Sequence, residues 1–214
     1  TPTLHTSGMV ISMSLNTGRI AIAGATGTLG QAFARICEAR GLPFELLRRT
    51  DMDIADAGLV EAALALHRPW AVINAAGYVR VEAAECEAGR CFRENAFGAE
   101  VLARACARLG IPYVTFSSDL MFDGQLGRAY IESDSVCPRG VYGASKAEAE
   151  RRVAEVWPQA LVIRTSTFFG PWDRYNFVYG ALRALAAGQR LEASDAITVS
   201  PTYVPDLAHG VLDL

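Results

Sequence analysis

The sequence predicts an α/β domain built on a doubly wound parallel sheet. Three observations predict it. Short, almost wholly apolar runs alternate with helical stretches along the chain, a glycine-rich turn joins the first run to the first helix, and most helical stretches close at a glycine or before a proline. A strand that is apolar at nearly every position is buried on both faces, as happens when helices cover both sides of a parallel sheet.

The elements follow in order. Arg19-Ile20-Ala21-Ile22-Ala23 reads as a buried strand ending at Gly24. Residues 29–40 have helical spacing and close at Gly41, a C-cap signal. Residues 43–47 form a second strand, 57–67 a helix that ends before Pro69, and 70–73 a third strand. Residues 91–109 read as one long helix capped by Gly110, followed by a fourth strand over 111–116. A helix over 145–156, a fifth strand over 160–164 and a further helix over 175–187 complete the pattern. Residues 1–18 read as a tail or linker, because they lack the basic start and apolar core of a signal peptide. Residues 19–170 form the sheet domain. After Gly170 aromatics, Pro and Gly become more frequent, so 171–214 reads as the start of a smaller substrate-binding region. Val211-Leu212-Asp213-Leu214 stops within an apolar helical pattern, which suggests a chain that continues or a remainder that is disordered.

Composition narrows the function classes. The 214 residues are 51% hydrophobic and 20% charged with a net charge of −3, a globular balance without the basic excess that nucleic acid or an anionic membrane calls for. No apolar run reaches the ~18 residues of a membrane span. Five cysteines, an odd count without CxxC spacing, read as small buried hydrophobes in a reducing cytoplasm. The three histidines are scattered, so no metal site is expected.

The glycines at 24, 27 and 30 make a GxxGxxG turn, Gly24-Ala25-Thr26-Gly27-Thr28-Leu29-Gly30, rather than GxGxxG. Gly24 permits a tight strand-to-helix turn, Gly27 lets backbone approach a pyrophosphate, and Gly30 lets the helix pack closely. Exposed amides and the helix dipole then favour a diphosphate. This is the turn of a dinucleotide-binding Rossmann domain. The acidic ribose anchor expected ≈20 residues on is replaced by Arg48-Arg49, which suits a 2′-phosphate and favours NADP(H), with NAD(H) the alternative. Asp51 is an alternative ribose partner, and Asp53-Ile54 is placed near the adenine.

Val141-Tyr142-Gly143-Ala144-Ser145-Lys146 holds a YxxxK pair whose side chains share a helical face. A neighbouring ammonium is expected to lower the phenol's pKa, so that the phenol passes a proton near neutral pH. Ser117-Ser118 at the end of the fourth strand places a hydroxyl where α/β sheets hold their ligands. The plain alternatives are a turn cap for Ser118 and a solvated helix lysine for Lys146.

Together with Asn74-Ala75-Ala76-Gly77, Phe116-Ser117-Ser118-Asp119, Phe122-Asp123-Gly124, Arg164-Thr165-Ser166 and Ser200-Pro201-Thr202-Tyr203, these motifs resemble the extended short-chain dehydrogenases/reductases, within them the dTDP-4-dehydrorhamnose reductase-like family, from about Arg19 onward. The resemblance implies an NADP(H)-dependent reductase of a nucleotide-activated 4-keto-6-deoxy sugar, with Ser118, Tyr142 and Lys146 as the triad and Lys146 also holding the nicotinamide ribose. It implies cofactor contacts at Thr26, Thr28, Leu29, Asn74, Ala75, Ala76, Asn95, Ser117, Tyr142, Lys146 and Thr165, beside the glycines, Arg48, Arg49, Asp53 and Ile54. Substrate contacts fall at Tyr78, Val79, Ser118, Asp119, Thr167 and Asn176. The chain departs from the family on the substrate side, with Thr167 for a tryptophan, Glu82 for an aspartate, and Ile197-Thr198-Val199-Ser200 before Pro201. The resemblance also admits a non-catalytic NADP-binding regulatory subunit, a domain fused to another enzyme, a sugar-nucleotide epimerase, and a homodimer. A dehydratase would need a second acid beside Ser118-Asp119.

Overall fold

The computed structural model describes residues 18–173, 176–194 and 198–214. Five strands, β1 (Ile20–Ala23), β2 (Phe44–Leu47), β3 (Ala71–Asn74), β4 (Tyr113–Ser118) and β5 (Leu161–Thr165), form one parallel sheet in the order β2-β1-β3-β4-β5. The chain leaves β1 toward β2 and returns on the other side with β3. The strand order therefore reverses between β1 and β3, and a crevice opens at their carboxyl ends.

Period-two alternation along the strands assigns the two faces. Ala21, Ala23 and Val72 pack against α2 (Ala57–His67), α4 (Gly98–Leu109) and α5 (Val141–Val156) through Val60, Leu64, Leu102, Cys106 and Val153. Ile20, Ile22 and Ile73 pack against α1 (Thr28–Ala39) and α7 (Val204–Leu212) through Phe33, Ile36, Val204 and Ala208. The smaller Ala21, Ala23 and Val72 face the three-helix side and the larger isoleucines the two-helix side.

The expected helix ends hold. Gly41 and Gly110 both take φ +64 just past α1 and α4, and Arg68 closes α2 in the left-handed region before Pro69. Asp56 caps α2 by accepting the Leu59 amide at 3.0 Å. Three features differ from expectation. The long helix expected over 91–109 starts at Ala88 as α3 (Ala88–Phe92) and passes through a π-helical stretch, Arg93–Phe97, before α4. Its extra residue per turn carries no periodic signature. Helix α5 begins at Val141, four residues before the expected start. A two-stranded parallel sheet, β6 (Phe168–Phe169) with β7 (Thr202–Tyr203), was not anticipated, because two-residue strands have no readable period.

The expected helix over 175–187 is α6 (Phe177–Ala186), which has no buried residue; position 175 lies outside the described residues, as do residues 1–17 and 195–197. Cys37, Cys91 and Cys106 are buried, whereas Cys86 and Cys137 are exposed. Among the described residues no helix is long and apolar enough to cross a membrane, and no three His, Cys, Asp or Glu side chains gather as a metal site.

Candidate active site

The glycine turn sits at the carboxyl end of β1, beside the switch in strand order. Gly24 takes φ +99, and a Cβ there would lie 2.6 Å from the Ala75 carbonyl oxygen, so only glycine fits against the chain leaving β3. A Cβ at Gly30 would lie 2.2 Å from the Gly24 oxygen, so α1 packs directly on the turn. The Gly24 and Ala25 amides both donate to the Leu47 carbonyl at 3.1 Å, tying the turn to the end of β2. The first intrahelical bond of α1 runs from the Gln31 amide to the Gly27 carbonyl. The amides of Thr28, Leu29 and Gly30 precede it, and no side chain caps them. Thr26 and Gly27 are exposed. This is a backbone cradle with the geometry an anionic diphosphate requires.

Arg48 and Arg49, just past β2, behave differently. Arg49 bonds to Glu94 at 2.8 Å and Asp53 at 3.2 Å. The Arg48 guanidinium makes no ion pair among the described residues, and its amide is held by Asp51 at 2.9 Å. Arg93 also reaches Asp53.

Tyr142, Lys146 and Ser118 come together at the ends of β4 and α5. A Cβ at Gly143 would lie 2.0 Å from the Leu120 carbonyl oxygen, so glycine there lets α5 sit directly on the turn that follows β4. The Tyr142 phenol consequently stands near the Ser118 hydroxyl, which works against the rise that burial imposes on it. Ser118 also accepts the Leu120 amide at 3.2 Å, so the side chain that stands near Tyr142 is also the cap of this turn. The Lys146 ammonium donates to the Phe116 carbonyl at 3.1 Å and stands 5.8 Å from the Tyr142 ring centre.

The electrostatics reverse one expectation. Burial pushes the Tyr142 phenol up to about 12, helped by the nearby Cys91 and Asp119 and opposed by Ser118. Burial pulls the Lys146 ammonium down to about 8. The expected lowering of the phenol by its lysine neighbour is absent, because both groups are desolvated and the ammonium is turned to Phe116. At neutral pH Tyr142 is therefore a protonated donor.

A cavity of about 1350 Å3 opens beside Tyr142. Its lining includes Asp119, Thr165, Ser166 and Ser200 together with Phe122, Tyr130 and Arg139. Asp119 accepts from Ser166 and Ser118. Phe122 stacks on Tyr130 with ring centres 4.1 Å apart, and Arg164 lies 5.3 Å from the Phe122 centre while pairing with Glu150 at 2.8 Å. A smaller cavity of about 590 Å3, lined by Leu64, Arg68, Arg108 and Ile111, lies at the opposite end of the strands, away from these groups.

A protein-family model described as the RmlD substrate binding domain matches residues 18–214. The chain belongs to this family. A dTDP-4-dehydrorhamnose reductase of Mycobacterium tuberculosis is 37% identical over 201 residues, covering 92% of this chain and 65% of that protein. One from Streptomyces griseus is 35% identical, over 87% of this chain and 62% of that protein. The chain thus spans a little under two thirds of these relatives. Among solved structures, a dTDP-4-dehydrorhamnose reductase of Bacillus anthracis in complex with NADP superposes with a TM-score of 0.84 at 31% identity, covering 92% of this chain and 69% of that one. A UDP-glucose 4-epimerase of Thermus thermophilus in complex with NAD, 20% identical with a TM-score of 0.72 over 91% of this chain and 73% of that one, shares the fold.

Within this RmlD-family chain, the site residues named from sequence divide into two groups. The glycine turn, Ala75, Ala76, Ser118, Asp119, Tyr142, Lys146 and Thr165 gather around the carboxyl ends of the strands. Others are placed elsewhere or spent on structure. Leu29 is buried in the α1 core, so only its amide faces the turn. Asn74 bonds to Tyr113, Thr115 and the Ala76 amide, and Asn95 to the Tyr78 amide and Ser145. Ser117 is buried and its carbonyl accepts the Thr165 hydroxyl at 2.9 Å. Asp53 is occupied by Arg49, Arg93 and the Ala55 amide, and Ile54 is buried. Tyr78 is buried between the Arg80 and Arg90 guanidiniums, Val79 is exposed, and Thr167 is exposed with its carbonyl accepting the Thr202 amide. Asn176 is the N-cap of α6, accepting the Tyr179 amide at 2.9 Å. Sequence reasoning missed Glu85 and the Phe122–Tyr130 wall. The partner of Glu85, the Val141 amide, is 56 residues away in the chain.

Proposed function

We propose that this chain supplies the catalytic core of an NADPH-dependent reductase that reduces the keto group of a dTDP-activated 4-keto-6-deoxy sugar. The observation that carries the reading is the buried, protonated Tyr142 near Ser118, lining the large cavity, with a glycine cradle at the same edge of the sheet. The cradle fits a dinucleotide: the turn amides would hold the diphosphate, the uncommitted Arg48 the 2′-phosphate, and Lys146 the nicotinamide ribose. NADPH supplies the hydride. The chain's own part is acid catalysis and orientation. Ser118 donates a hydrogen bond to the ketone oxygen, and Tyr142 transfers its proton to that oxygen as the alcohol forms. The relatives named as dTDP-4-dehydrorhamnose reductases support the substrate class.

The test is NADPH oxidation with dTDP-4-keto-6-deoxy sugars. Turnover that depends on the nucleotide sugar supports the reading. Tight NADP binding with no turnover on any such sugar would overturn it in favour of a regulatory role.

A further inference from the structure

Helix α5 carries both Tyr142 and Lys146, and its start is held in an unusual way. Gly140 stands at the N-cap position in an extended conformation, φ −142 and ψ 168, and has no side chain to cap with. The cap arrives from 56 residues earlier: Glu85 Oε1 accepts the Val141 amide at 2.8 Å. Glu85 closes a 3-10 turn, Glu82–Glu85, in the excursion between β3 and α4. A Cβ at residue 140 would lie 2.8 Å from the same Glu85 oxygen, so the missing side chain is what admits the carboxylate. The same excursion supplies a second anchor. Ser145 donates to the Tyr142 carbonyl at 2.7 Å and accepts from Asn95 at 3.0 Å, and Asn95 in turn accepts the Tyr78 amide at 2.8 Å.

We propose that Glu85 is a positioning residue for the Tyr142 phenol, acting as the N-cap of α5 supplied from a distant segment. Tyr142 is the second residue of that helix, so its height above Ser118 follows the first turn. The first amides of a helix need an outside acceptor, and a carboxylate is the acceptor the helix dipole favours. An uncapped first turn frays, and a reacting group displaced by about 1 Å loses on the order of a hundredfold in rate. The kinetic consequence rests on the reductase reading above; the cap itself does not.

Three variants test it: Glu85→Ala, Glu85→Gln, and Glu85→Ala combined with Gly140→Ser. The double variant restores a cap locally, since serine suits the extended backbone at 140 and fills the space the carboxylate vacates. Glu85→Ala should lower kcat roughly ten- to a hundredfold while the KM for NADPH stays within about twofold. Glu85→Gln keeps an acceptor oxygen without the charge, retains the packing if alanine costs stability, and should fall between wild type and alanine. The double variant should recover most of the lost kcat, which a merely structural role for Glu85 in its own loop would not allow. A Glu85→Ala kcat within about twofold of wild type, or a double variant no faster than Glu85→Ala, overturns the proposal. If the wild-type protein turns over no nucleotide sugar, the reductase reading fails and the cap is read by amide exchange. The Val141 amide should then exchange roughly tenfold faster in Glu85→Ala, and the amides of Tyr142 and Gly143, which a serine at 140 reaches, should be slowed toward wild type in the double variant. Unchanged exchange overturns the proposal.

Discussion

Tyr142 and Lys146 stand four residues apart, and burial moves their acid constants in opposite directions, to about 12 and about 8. Tyr142→Phe removes the proton donor and keeps the packing. It should lower kcat by about 10²–10⁴-fold, the usual worth of a positioned acid, with NADPH affinity unchanged in fluorescence titration. Lys146 carries a sign. Its folded value lies below its ordinary 10.5, so the folded protein holds fewer protons than the unfolded chain between pH 8 and 10.5. Its contribution to stability therefore rises with pH across that window, and below pH 8 the cost of burying the charge is fully present. Lys146→Met should be more stable than wild type at pH 7, by up to about 3 kcal/mol at 1.36 kcal/mol per unit. That advantage should shrink to nothing near pH 10.5 in urea melts, and a pH-independent difference would refute it. Arg48 and Arg49 separate in the same way. Arg48→Ala should weaken NADPH about tenfold, or ~1.4 kcal/mol, and spare NADH. Arg49→Ala, whose half-exposed ion pairs are worth ~1 kcal/mol at most, should change affinity little. Equal losses of NADPH and NADH in Arg48→Ala would remove the 2′-phosphate role.

At the scale of elements, the helices show which ends are local and which are not. Helix α2 is closed locally, by Asp56 at one end and by left-handed Arg68 at the other. Asp56→Ala should cost about 1 kcal/mol and lower Tm by roughly 2–4 °C in calorimetry. Helix α5 is closed by Glu85 instead. The π-helical stretch is a further non-local device. It keeps Asn95 and Ala96 buried while Glu94 reaches Arg49 and Arg90, so the end of β2 and the start of α4 are clamped together. Burial tends to raise the Glu94 carboxyl, and the two guanidiniums outweigh it and hold it below the usual range.

At the scale of the molecule, the two faces of the sheet are filled by residues of different size. Ala208 is fully buried on α7 against the α1 side. Ala208→Leu should overpack that layer and cost roughly 1–3 kcal/mol in chemical denaturation. An unchanged midpoint would mean that α7 does not belong to the core. Helix α6 contrasts with it: Phe177, Leu182 and Leu185 are all more than half exposed.

Much of this was legible from residues alone. The apolar runs determined a parallel sheet, because a strand covered on both sides must be apolar at every position. Gly24, Gly27 and Gly30 determined a backbone cradle, and Tyr142 with Lys146 a shared helical face, because these depend on neighbours within a few residues. Tertiary structure decided what depends on partners far along the chain. It spent Asn74, Asn95, Asp53 and Asn176 on hydrogen bonds within the fold, left Arg48 uncommitted beside the occupied Arg49, and raised the Tyr142 phenol where a lysine neighbour alone would lower it. It also began α5 four residues early, because a carboxylate 56 residues away supplies the cap that Gly140 lacks. Spacing along the chain encodes periodicity and turns; desolvation and long-range hydrogen bonds exist only once the chain has folded.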